Sequence, residues 1–153
     1  MLVGSGPGSY GGVRVALAAA VGIATVRKSR VVAIGSWNAL STDGAAIISD
    51  ARRGGWTIRR SDGEISVLST EELKQEIEQG LLVYTIEKKE LLIDKGISAS
   101  KFGLVPTATG LVNSWLQLTP EQQSELADKP AEPIYVRPPH ITEAKRKPWE
   151  ISH

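Results

Sequence analysis

This 153-residue chain predicts an α/β fold, a mixed sheet with helices packed on it. Three observations carry that reading. Within its first 35 residues the chain runs strand, glycine-rich turn, helix and strand, the alternation that builds a parallel sheet. Its later strands follow one another closely across short polar turns, as hairpin neighbours do. A composition of 41% hydrophobic and 23% charged residues is that of a chain with a core to bury.

Leu2 and Val3 read as the end of a strand. Pro7, Gly8 and Ser9 then turn the chain into a helix from Tyr10 to Arg27. Val13, Leu17, Val21 and Ala24 share one face of it at helical spacing. Gly12, Ala16, Ala20 and Ala24 form a stripe with almost no side chain, along which another helix or a sheet can approach closely. The run RVVAIG, residues 30 to 35, is short, apolar and β-branched, the pattern of a buried parallel strand. Ser36 caps a brief helix, SWNALS, that ends near Asp43 and Gly44. In AAIISDARRGGWTIRR, two strands are joined across residues 52 to 55, and SDG at 61 to 63 leads into a third, EISVLS. Ser69 and Glu72 make a capping box for the helix TEELKQEIEQ, which Gly80 stops. LLVYTI is another strand, followed by a charged turn, EKKE. Pro106 opens a helix through TATGLVNSWLQL. Thr119, Pro120 and Gln122 open the next with a cap, a first-turn proline and a box partner. PIYVR, residues 133 to 137, is a last short strand. The chain thus divides into residues 1–43, residues 44–137 and a polar tail, 138–153. Trp37, Trp56 and Trp115 sit among apolar neighbours and read as core.

The composition narrows the function classes. A net charge of +1 gives no domain-wide footprint for nucleic acid. The absence of cysteine removes disulfides, thiolate catalysis and zinc–cysteine sites, and fits the reducing cytoplasm. The longest apolar run, residues 15 to 26, is shorter than the roughly 20 residues of a membrane span, and Arg14 and Arg27 bracket it. MLVGSG lacks the basic and hydrophobic segments of a signal peptide.

The stretch GSGPGSYGG is the first candidate site. A Walker loop needs a lysine for the phosphates and a hydroxyl for magnesium, and no lysine precedes Lys28. Gly6, Gly8 and Gly11 satisfy G-x-G-x-x-G, but the acidic residue that should end the next strand is missing. The helix N-terminus beside Gly6, Gly8, Ser9 and Gly11 is still a candidate anion or nucleotide loop. The plainer reading has Pro7 and Gly8 set the turn while Gly11 and Gly12 permit close packing. Asp50, Arg52, Arg53 and Gly54 read as turn structure, with an ion-pair cluster or an RNA contact as the alternative. Arg14 is either a partner or phosphate contact or a locally paired group. His140 and His153 have no second ligand at metal spacing, and no G-x-S-x-G elbow supplies a serine for a triad. EAKRKPW, residues 143 to 149, reads as a solvated terminus, with tRNA contact through its cations and Trp149 as the sharper alternative.

Taken together, GPGSYGGVRVALAAAVGIA, then a strand and GSWNAL, then DARRGGW at 50–56 and PIYVRPP at 133–139, resemble the ordered signature segments of the bacterial TsaB (YeaZ) family. The resemblance implies an actin, sugar-kinase and heat-shock-ATPase (ribonuclease H-like) fold. It also implies a part in making threonylcarbamoyladenosine at position 37 of tRNA. That part is non-catalytic and non-proteolytic: a scaffold that binds a TsaD-like catalytic paralogue, joined by a TsaE-like ATPase. tRNA would be met through the complex, homodimers would be an alternative assembly, and neither cofactor nor metal is implied. The partner face would be the helix carrying Tyr10, Gly12, Val13, Arg14, Ala16, Leu17 and Ala20. Family members start with a D-T-S strand, two more strands and a helix that this sequence lacks. The first half is therefore expected to be truncated, and nucleotide binding to be weakened with it. The alternatives within this fold are an ATP-dependent phosphotransferase or ATPase, and an inactive truncated copy.

Overall fold

The computed structural model describes residues 1–136; Arg137, both histidines and the basic run of the tail lie outside the described residues. β1 (Leu2–Gly4) pairs in parallel with β2 (Val32–Ile34), in the register Leu2↔Val32 to Gly4↔Ile34. Parallel strands need a crossover, and α1 (Tyr10–Arg27) supplies it. Ser9 caps α1, its Oγ accepting from Gly12 N at 3.1 Å. Lys28 ends it in the left-handed region at φ 49°, where Ser29 N donates to Ala24 O at 3.0 Å. β2 is three residues long rather than the expected six because β1 offers only three to pair with.

The inner face of α1 differs from the expected one. Its buried row is Leu17, Ala20 and Ala24, with Val13 half-buried at its start, while Val21, Ala16 and Gly12 are exposed. Geometry explains this: at about 100° per residue, Val21 and Ala16 each lie roughly 70° from the centre of that row, on opposite sides. Ser36 also departs from its expected capping role. The turn after β2 is a short 3-10 segment, Ser36–Ala39, and Leu40 is already extended. The Ser36 hydroxyl is engaged elsewhere, accepting from Gly6 N at 3.0 Å while Ser36 N donates to Gly6 O at 2.7 Å.

The second sheet runs in the order β5–β4–β3–β6, from β3 (Ala46–Asp50), β4 (Gly55–Arg59), β5 (Ile65–Ser69) and β6 (Val83–Thr85). The β3–β4 and β4–β5 pairs are antiparallel and β3–β6 is parallel, so the sheet is mixed. Ala46 and Ile48 of β3, Trp56 and Ile58 of β4 and Val83 of β6 form one buried layer. α2 (Thr70–Glu78) adds Leu73 to it and α3 (Lys89–Lys95) adds Leu92. α2 starts with the expected capping box. α3 was not legible: of EKKE, Glu87 lies in a bend as expected, but Lys89 and Glu90 already begin the helix, and Lys88 at its cap position makes no side-chain hydrogen bond. Leu92, fully buried, and Gly96, at φ 64°, hold the helix and end it.

α4 (Ala108–Leu116) starts from Thr107, whose Oγ1 accepts from Gly110 N at 3.0 Å, rather than from Pro106. Trp115 on it is half-buried, unlike the fully buried Trp37 and Trp56. α5 (Pro120–Asp128) has the expected Thr119–Gln122 box and first-turn proline. The two sheets fall on either side of residue 44 in sequence, but α4 and α5 return to the first: α4 lies on β1 and the 3-10 turn, α5 on β2. PIYVR forms no strand within the described residues. Pro133 has no N–H to give a ladder, and the segment is tied to the first sheet by Ile134 N donating to Ser5 O at 2.8 Å.

Candidate functional site

A cleft of about 650 Å³ opens between the glycine loop and the end of the second sheet. One wall is the loop and first turn of α1, including Gly8, Ser9, Tyr10 and Gly11; Gly6 and Gly12 do not line it. Gly6 is instead locked to Ser36 at φ 100°. The opposite wall is carried by the carboxyl ends of β3 and β6. Because Ile48 pairs with Thr85 in a parallel ladder, two further residues bring Asp50 and Glu87 to the same rim. Asp50 N donates to Glu87 Oε1 at 3.1 Å, and Asp50 Oδ1 accepts from Arg52 N at 2.7 Å. Arg52, Arg53 and Gly54 all have left-handed backbones (φ 62°, 53° and 72°), and Gly55 N closes the turn on Arg52 O at 3.1 Å. Asp50 and Arg52 therefore face the cleft, whereas Arg53 and Gly54 serve the turn.

Two hydroxyls that sequence reading missed lie in the same cleft. Ser49 and Thr57 are register partners across β3 and β4, 8% and 4% exposed, with no side-chain hydrogen bond among the described residues. Alternation along β3 places Ser49 on the face opposite Ile48, but only the pairing with Thr57 makes it a site. Glu87 was equally invisible, since nothing in TIEK announces that its strand lies parallel beside β3.

The residues expected to meet a partner separate into two groups. Leu17 and Ala20 are buried within the chain itself, so they are not available to a partner. Gly12, Ala16 and Arg14 are exposed, and Val13 is half-buried. Arg14 has a local partner: its guanidinium lies 5.2 Å from the Tyr10 ring centroid and donates to Tyr10 Oη at 3.2 Å. Tyr10 in turn stacks on Tyr135 at 5.1 Å. The outward face of α1, opposite the buried row, carries Gly11, Val15, Ala18, Gly22 and Val26, with no charge among them. Val15 is 69% and Val26 84% exposed, and a Cβ built on Gly22 would meet no atom within 4 Å. A helix apolar on both faces is ordinarily covered on both. By length and composition alone α1 would also suffice to cross a membrane, but its inner row is packed on β1. No group of three or more metal-ligating side chains occurs among the described residues.

No family model matches the chain, and no curated protein matches it in sequence. Solved structures do match. A Pseudomonas aeruginosa protein described as similar to peptidase YeaZ superposes with a TM-score of 0.60 at 20% identity, over 89% of this chain and 72% of its own. YeaZ from Pseudomonas aeruginosa superposes with a TM-score of 0.59 at 20% identity, over 88% of this chain and 72% of its own. The chain has the YeaZ fold. Both neighbours are longer than the part they share with it, and at this identity the likeness speaks for architecture: a mixed sheet with packed helices.

Proposed function

We propose that this YeaZ-like chain is a TsaB-type subunit: a non-catalytic, cytoplasmic scaffold that binds a TsaD-type paralogue and supports it in threonylcarbamoyl modification of tRNA position 37, with a TsaE-type ATPase as the third member. The YeaZ fold and the ordered segments GPGSYGGVR, DARRGGW and PIYVR support the family reading. The observation that carries the scaffold role is the uncharged outward face of α1, exposed along its whole length from Gly11 to Val26.

The test is co-elution with the TsaD-type paralogue in size exclusion with light scattering. Val15→Arg should abolish the complex and leave the melting temperature nearly unchanged, since that side chain contacts solvent. Ala20→Arg should unfold the chain, because it drives a cation into the α1–sheet contact. A complex that survives Val15→Arg and Val26→Arg ends the reading. A second reading, a nucleotide-dependent phosphotransferase or ATPase, draws on the unpartnered Ser49 and Thr57 hydroxyls opposite the α1 N-terminus. It requires saturable ATP binding that Thr57→Val abolishes.

A further inference from the structure

A second cavity, of about 380 Å³, lies on the other side of the Ile134 strap from the cleft, between the 3-10 turn, the end of α5 and β4. Its volume is in the range of small-molecule sites. Three of its groups have no partner among the described residues. Arg59 alternates along β4 with Ile58, so its side chain leaves the α2–α3 core and enters the seam between the two sheets. There it is half-buried, and it forms no ion pair or hydrogen bond with any described residue. Burial pulls its guanidinium below the usual arginine value, the mark of a cation that has lost water without gaining a counter-charge. Ser5, only 2% exposed, lines the same cavity, and its hydroxyl has no hydrogen-bond partner among the described residues. Trp37, equally enclosed, keeps an indole N–H without a partner among the described residues.

The rest of the lining fixes the sign of the ligand. Lys129 adds a second cation, held at 2.6 Å by Glu125 on α5. Asn38 adds an amide at the mouth. Glu132 is the one lining carboxylate, and it pairs with neither cation. Lys129 is already answered by Glu125, so Arg59 is the lining cation with no counter-charge among the described residues, and it offers a planar five-donor fork. We propose that this cavity binds a small oxyanion, a phosphate or carboxylate group received by the Arg59 fork with Ser5 and Lys129 beside it. The apolar face of α1 takes no part, because none of its outward residues lines this cavity. Loss of anion binding and loss of a protein partner are therefore separable.

The experiment titrates the full chain with inorganic phosphate and, separately, with acetate, following the Trp37 indole N–H resonance and the melting temperature. Trp37→Phe assigns the resonance. A saturable shift of that resonance with a rise in melting temperature is expected, and the tighter of the two probes names the group. Arg59→Met should weaken binding at least about tenfold, as loss of a charged hydrogen-bonding partner does. Without anion, that variant should melt no lower than the parent, because it removes a partly desolvated cation that has no partner among the described residues. Should Arg59→Met fail to fold, Ser5→Ala supplies the reading through a weaker affinity at unchanged melting temperature. The proposal is overturned by the absence of saturation with both probes, or by binding that survives Arg59→Met or, in its place, Ser5→Ala.

Discussion

The two sheets of this molecule solve the same problem to different degrees. The four-stranded sheet buries β3 on both faces and closes a contiguous core beneath α2 and α3. The two-stranded sheet borrows its cover from opposite ends of the chain, α1 on one side and α4 and α5 returning from residue 108 onward. Even then it leaves the outer face of α1 bare. Ile47, Ile48, Trp56 and Ile58 of the second sheet are thus fully buried, whereas Val15, Val21, Ile23 and Val26 of α1 face solvent. One unit closes its own core, and the other leaves an uncharged helix face exposed.

That contrast can be broken most directly in the core. Leu73→Ala, at a fully buried site under β3 and β4, should cost about 2–5 kcal/mol, read as a drop in the urea midpoint. Val26→Ala on the outer face of α1 should change stability by no more than about 0.5 kcal/mol. Equal losses would mean that α1 is covered in solution. The glycines give a smaller version of the same comparison. A Cβ on Gly110 would collide with the Ala39 carbonyl oxygen, so Gly110→Ala should push α4 off the 3-10 turn and cost about 1–3 kcal/mol. A Cβ on Gly22 meets nothing, and Gly22→Ala should stabilise by about 0.5–1 kcal/mol through helix propensity alone. If Gly22→Ala instead lowers the melting temperature, that face is already occupied, by a second copy of the chain.

Legibility in the sequence followed the range of the interaction. Local devices were readable: the Ser69–Glu72 and Thr119–Gln122 boxes, the turn at residues 52 to 55 and both ends of α1 all depend on residues a few positions apart. What failed depended on tertiary partners. The Ser36 hydroxyl goes to Gly6, thirty residues away, instead of to its own helix. Which row of α1 faces inward was decided by the sheet beneath it, and helical spacing alone allowed several rows. α3 lacks a cap and is held by Leu92, so only the core reveals it. In the candidate cleft, the glycine loop and Asp50 were visible as motifs. Ser49, Thr57 and Glu87 became neighbours only through strand pairing between residues 8 to 37 positions apart in the chain. PIYVR has the composition of a strand, but among the described residues it forms no strand and is tied by the Ile134 N–H to Ser5 O.

The smallest effect separates the two units by acid. α2 of the second unit and α5 of the first both begin with a capping box, but the reciprocal acceptor is Glu72 in one and Gln122 in the other. Glu72 accepts from Ser69 N at 2.7 Å, and that backbone hydrogen bond, with the Ser69 side chain, holds its carboxyl below the ordinary range. A depressed folded value means the contribution is present above the unfolded carboxylate pKa, about 4.3, and is lost as pH falls through the lower folded one. Gln122 accepts from Thr119 N at 2.9 Å and does not titrate, although Glu121 beside it is also held low, by its own backbone N–H and Thr119. Acidification through the lowered Glu72 value should therefore cost the Ser69 amide its protection from hydrogen exchange while the Thr119 amide keeps its partner. Glu72→Gln should abolish the difference between the two helices. If Ser69 and Thr119 lose protection together in the parent, the acid response belongs to the whole fold, and the two units are not separable at their helix starts.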